Sequence, residues 1–156
     1  MAVELGYAAE QTVQPGAGAI LETIRGCMKC PKNVLHENLS PNVTLRGIVR
    51  NLCCNASAQY EVSFSGNIAV PADGTVGEIQ LALSVNGYIR PLTIATATPT
   101  VADAFWHVSG DTTVDVPAGC CRDVAVVNAS VSETPATTPA PAVVIRNLNV
   151  KINRVA

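Results

Sequence analysis

Apolar positions along most of this chain fall two residues apart, the spacing of a strand with one face buried. The clearest run is Tyr60, Val62, Phe64, Gly66, Ile68 and Val70, alternating with Glu61, Ser63, Ser65, Asn67 and Ala69. It predicts a half-buried antiparallel strand. PADG at 71–74 supplies turn residues, and Ile79, Leu81, Leu83 and Val85 then alternate with Glu78, Gln80, Ala82 and Ser84. Asn86-Gly87 is the strongest hairpin signal in the chain and predicts a return strand from Tyr88 to Thr96, weakened near its start by Pro91.

Further strands are predicted over Ala104–Val116, with a turn at Ser109-Gly110-Asp111, over Cys120–Ser130, and at Leu148, Val150 and Ile152. Ala19–Ile24, Val34–Glu37 and Val43–Leu52 are shorter candidates. Gly47, inside the last of these, marks a bulge or a close backbone approach. The count is eight to ten strands with Gly or Pro turns between them, and no segment has helical period. The fold class is therefore all-β, an antiparallel β-sandwich or jelly roll. The run VSETPATTPAPA at 131–142 has no period and no large apolar group, and reads as an exposed loop between the last two strands.

Composition agrees. Val and Ile together number 30 against 10 Leu, a bias toward strands. The length of 156 residues suits one domain, here divided into residues 1–40, an N-terminal arm with the first strands, and a body over 41–156. Hydrophobic residues make up 48% and charged residues 14%, so few charges remain to cover a surface. Apolar patches on such a surface are commonly buried by closed, symmetric assembly. The net charge of −2, with scattered Lys and Arg, offers no basic stripe for nucleic acid. No run of eighteen apolar residues predicts a membrane helix, and the opening MAVELGYAAEQ has no basic leader, which points to synthesis in a cytoplasm.

Several runs in combination resemble a known family, the small C1q/TNF-like β-sandwich proteins encoded in bacteriophages and prophages of Firmicutes. They are Thr44-Leu45-Arg46-Gly47, Ser65 to Pro71, Gly74-Thr75-Val76-Gly77 leading into Ile79–Val85, Thr93 to Pro99, Asp115-Val116-Pro117 with Gly119-Cys120-Cys121, and Ile145 to Ala156. They span most of residues 44–156, while 1–40 match loosely. The longer insert at 131–142 and the Cys27/Cys30 pair depart from the family pattern. The resemblance implies a ten-stranded jelly roll that forms a homotrimer and serves on the virion surface as a head decoration or head-fibre protein. The partner expected is the major capsid protein, with the 1–40 segment facing it. No cofactor is implied. The alternative role is a trimeric tail-tip adhesin that recognises a host surface glycan through loops 86–91 or 131–142.

Six cysteines fall in three pairs, Cys27/Cys30, Cys53/Cys54 and Cys120/Cys121. If the strand ending near Cys53 lies beside the one beginning near Cys120, the two vicinal pairs meet as a buried thiol contact or a disulfide. Reduced buried thiols, a disulfide and a metal site all remain open on spacing alone. Tyr60, Phe64, Phe105 and Trp106, with Tyr88, are candidates for a three-fold interface, against ordinary core packing. His36 and His107 accompany no nucleophile motif, so an enzyme is the least favoured class. Asp73, Asp103, Asp111 and Asp115 fall at proposed turns without calcium-loop spacing. Asn42, Asn55 and Asn128 head glycosylation-type triplets that match by chance when no export leader is present.

Overall fold

The computed structural model describes residues 2–25, 33–49, 56–132 and 139–155. Among these residues lie β1 (Ala2–Tyr7), β2 (Gln11–Val13), β3 (Glu22–Arg25), β4 (Val34–His36), β5 (Val43–Arg46), β6 (Ser57–Ala69), β7 (Ile79–Val85), β8 (Tyr88–Ile89), β9 (Ala95–Ala97), β10 (Trp106–Pro117), β11 (Cys121–Asn128) and β12 (Val143–Arg154), with one 3₁₀ turn at Pro91–Thr93. They form two six-stranded antiparallel sheets. Sheet A has the order β10-β6-β12-β1-β3, with β2 also on β12; sheet B has the order β4-β5-β11-β7-β8, with β9 also on β7.

Alternation dictates which side chains fill the sandwich. On β6 the even positions from Ala58 to Ile68 are buried, and Tyr60, Val62, Phe64 and Ile68 meet Leu5, Leu45, Leu81, Leu83, Val126 and Ile152 in one core. Both glycines with a packing role are forced by close approach. A Cβ on Gly47 would overlap the carbonyl oxygen of Pro117. At Gly110 it would stand 2.7 Å from the Phe64 ring and 2.7 Å from the Thr93 carbonyl. The predicted hairpin at Asn86-Gly87 is present, with φ of 51° and 83°, the left-handed pair of a type I′ turn. The Asn86 carboxamide oxygen accepts from Asp123 N–H at 2.8 Å and ties the turn to β11.

Four expectations change. Ser109-Gly110-Asp111 is not a turn but the middle of a continuous β10, paired with β6 along its whole length. Gly110 is there for packing. The single return strand over 88–96 is instead β8, the 3₁₀ turn and β9, because Pro91 has no N–H for the ladder and opens the 3₁₀ turn. On β7, Ala82 and Ser84 are buried although they face away from the core, as are their β11 partners Val127 and Ala125. Finally, where an arm with the first strands is expected, the described residues among 1–40 supply β1, β2 and β3 to sheet A and β4 to sheet B. β1 lies between β12 and β3, and residues 16–19 then bond β11 through Gly16 N–H to Asn128 O at 2.9 Å and Ala19 N–H to Val126 O at 2.7 Å.

Candidate interaction surfaces

The outward face of sheet A is polar because β6, β10 and β12 carry short hydrophilic residues at every second position. Register aligns them in rows across the strands. One row is Ser109, Ser65 and Asn149; the next is Asp111, Ser63, Lys151 and Glu4; a third is Thr113, Glu61 and Asn153. Together Ser63, Ser65, Ser109, Asp111, Asn149 and Lys151 line a shallow depression of about 460 Å3. Asn149 donates to the Glu4 carboxylate at 2.8 Å. Glu4, Glu61, Asp111 and Asp115 share this face with Lys151 and Arg146, so it carries charges of both signs. Towards its Arg146 end the guanidinium lies 4.1 Å from the Phe105 ring centroid and 3.3 Å from Glu10 Oε1.

Two other surfaces are apolar. At the β7–β8 end, Tyr88 is 80% exposed and Leu92 is 100% exposed, with Ile89 and Ile94 beside them. At the opposite end of β7, a hollow of about 530 Å3 is lined by Val70, Pro71, Val76, Val131 and Pro141, together with the carboxylates Asp73 and Glu78.

No family model matches the chain, and no curated protein matches it either. Among solved structures, the Eiger TNF of S. frugiperda superposes with a TM-score of 0.61 at 12% identity, covering 100% of this chain and 92% of that one. The globular domain of zebrafish complement 1qA protein superposes with a TM-score of 0.52 at 9% identity, covering 96% of this chain and 94% of that one. The fold is the C1q/TNF-like jelly roll. At these identities the likeness concerns architecture alone.

Within the jelly roll, the aromatic candidates separate. Tyr60 is fully buried, donating its hydroxyl to Arg46 O at 2.7 Å with Asn33 O at 3.2 Å. Burial raises its pKa above the ordinary tyrosine value, against the lowering influence of Arg154. Phe64 is buried beneath Gly110. Both belong to the chain's own core, because even positions of β6 point inward, and so neither lines a contact with a neighbouring protomer. Phe105 is half-buried under Arg146, and Trp106 is 50% exposed at the start of β10. These two remain accessible.

The cysteine expectation meets a different surface. β5 does lie antiparallel beside β11, with Arg46 opposite Cys121, but β5 ends at Arg46. Cys120 and Cys121 are free and exposed, not buried. The turn at Pro117–Cys120, with Gly119 at φ 79°, lifts them to the rim of sheet B. Cys53 and Cys54 lie outside the described residues, as do Cys27 and Cys30.

Asp111 and Asp115 stand on β10 rather than at turns, whereas Asp73 lies within the Pro71–Gly74 turn. Among the described residues no three His, Cys, Asp or Glu side chains gather as metal ligands. His36 bridges Thr23 Oγ1 at 2.8 Å and Ser40 O at 2.9 Å. His107 reaches Asn67 at 3.4 Å. Asn128 is buried with its amide bonded to Val13 O and Pro141 O, so its triplet cannot accept a glycan in the folded chain. Sequence reasoning missed the tip formed by Ile89, Leu92 and Ile94. Its signal was Pro91, which opens the 3₁₀ turn that carries Leu92 outward.

Proposed function

We propose that this chain is a non-enzymatic structural module that works as a homotrimer and decorates the capsid of a phage particle, held by the major capsid protein. Domains of this fold typically assemble as homotrimers, which supports the three-fold part of the reading. The observation that carries it is the outward face of sheet A, a broad array of polar side chains carried by three long paired strands and offering a large area for contact. The virion location rests on the sequence resemblance. Its runs fall largely on strands of the sandwich, Thr44–Arg46 on β5, Ser65–Ala69 on β6 and Ile145–Arg154 on β12.

The mechanism is geometric. A three-fold molecule seated at a three-fold or quasi-three-fold capsid position repeats each contact three times, and modest contacts multiply into firm attachment. Neither nucleic acid nor membrane is needed. The second reading, a tail-tip adhesin, is favoured by one feature, the exposed Tyr88 ring on the hairpin tip, which suits stacking on a sugar face. Immunogold electron microscopy of intact particles separates the two. Label over the head supports decoration, label at the tail tip supports adhesion, and unlabelled particles overturn both. Light scattering of the purified protein at a mass other than three chains overturns the trimer.

A further inference from the structure

The two apolar surfaces match each other. The tip carries Tyr88, Ile89, Leu92 and Ile94, and its only charge from residue 86 to 102 is the exposed Arg90. The hollow is walled by Val and Pro side chains, and among the described residues its lining holds two carboxylates, Asp73 and Glu78, and no cation. One surface is a convex apolar knob with a positive charge, the other a concave apolar site with negative charge. At about 530 Å3 the hollow falls within the size range of sites that enclose small organic groups.

The knob is also held in shape. Thr93, buried beneath it, accepts from Leu83 N–H at 2.9 Å and donates to Arg90 O at 2.7 Å, while Arg90 N–H bonds Leu83 O at 2.9 Å. An exposed leucine on a pinned turn loses little freedom on docking. Knob and hollow cannot meet within one chain. Thr93 of the knob is bonded to Leu83 and Glu78 of the hollow precedes Ile79, so about five residues of strand, roughly 16 Å at about 3.3 Å per residue, lie between them.

We infer that the hollow's occupant is the knob of a second copy of this chain, with Leu92 seated among Val76, Val131 and Pro141 and Arg90 facing Asp73 and Glu78. The contact is heterologous, each copy giving a knob and receiving one, so it propagates head to tail, into a ring where the rotation closes and a filament where it does not. Only a few side chains a side take part, which puts it below the roughly 1,200 Å2 of a stable standard interface. A single contact is weak. Copies already gathered on a particle or in a trimer engage several at once, and it becomes effective there. This goes beyond the proposed function and does not depend on where the protein resides.

Sedimentation velocity from roughly 10 μM to 1 mM tests it, a range suited to small interfaces. The sedimentation coefficient of the wild-type chain is expected to rise with concentration past that of its basic assembly. Leu92→Asp is expected to weaken the rise at least tenfold in association constant, as are Arg90→Glu and the pair Asp73→Lys with Glu78→Lys. All four positions are outside the core, and circular dichroism checks that the variants fold. Mixing the Arg90→Glu chain with the Asp73→Lys/Glu78→Lys chain is expected to restore association, since the exchanged charges attract again. A wild-type coefficient that stays flat overturns the inference. So does a rise that the hollow variants leave intact, which signals knob-to-knob pairing, or a charge-exchanged mixture that stays apart.

Discussion

Replacing Tyr60 by Phe isolates one hydroxyl at the base of the sandwich and distinguishes a core role from an interface role. The ring stays and the apolar burial is unchanged, but the donor to Arg46 O at 2.7 Å is lost. Asn33 O, the weaker acceptor at 3.2 Å, keeps its bond from Arg46 N–H at 2.8 Å, so the main losses are the bond to Arg46 O and the hydroxyl's contact with Arg154. A buried hydrogen bond removed from one side costs about 1–2 kcal/mol. For a chain of this size that corresponds to a fall in Tm of roughly 2–8 °C. Thermal unfolding at one fixed protein concentration, followed by the fluorescence of Trp106, measures it. The pH dependence adds a second readout. Burial raises the folded-state pKa of Tyr60, so the unfolded chain gives up this proton first. The wild-type contribution is whole below the unfolded value of about 10 and declines as pH rises through the folded one. The difference between wild type and variant therefore narrows above pH ~10. An unchanged Tm at neutral pH, with an altered oligomer mass, refutes the reasoning and returns Tyr60 to an intermolecular contact.

Other consequences are equally direct. Gly110→Ala places a methyl against Phe64 and the Thr93 carbonyl and is expected to destabilise by about 1–3 kcal/mol, with Phe64→Leu in the same chain recovering part of the loss in urea unfolding. Asn128→Ala removes the amide bonds to Val13 O and Pro141 O and the acceptor for Ser130 N–H, expected to cost about 2–4 kcal/mol by the same measurement, because buried partners are left unmet. Native-state labelling with a maleimide is expected to modify Cys120 and Cys121 without denaturant, and Cys120→Ser/Cys121→Ser is expected to remove two fast-reacting thiols per chain.

Local pattern carried much of the architecture. The alternation around Tyr60–Ile68 and Ile79–Val85 located β6 and β7, and Asn86-Gly87 located the turn that leads from β7 into β8, because period and turn chemistry are properties of adjacent residues. Gly47 was legible as a close approach for the same reason. Gly110 was not, since its partners, Phe64 and Thr93, are remote in sequence and a Ser-Gly-Asp triplet looks like any turn. Tyr60 and Phe64 on the buried parity of β6 argue for core over interface, but a count of few charges gave no way to choose among faces. Cys120 and Cys121 show the limit most plainly. Adjacency to β5 followed from strand order, yet their exposure depends on a turn at Gly119 that the doublet itself does not announce. The knob at Leu92 needed the three-dimensional course of the chain after Pro91.

Sheet A has a consequence for how the molecule comes into being. β12 lies between β1 and β6, with Ala2 opposite Asn153 and Val62 opposite Ile152, so the middle of this sheet joins the first strand to the last. On a ribosome adding roughly 5–20 residues each second, β1, β2 and β6 are synthesised before their common neighbour exists. Sheet B has no such dependence, since β5, β7 and β11 all precede residue 130. Synthesis thus favours one layer ahead of the other. The emerging chain waits with the apolar side of half a sandwich uncovered until β12 inserts, and the long loops that this insertion closes place the molecule among slow, millisecond-to-second folders.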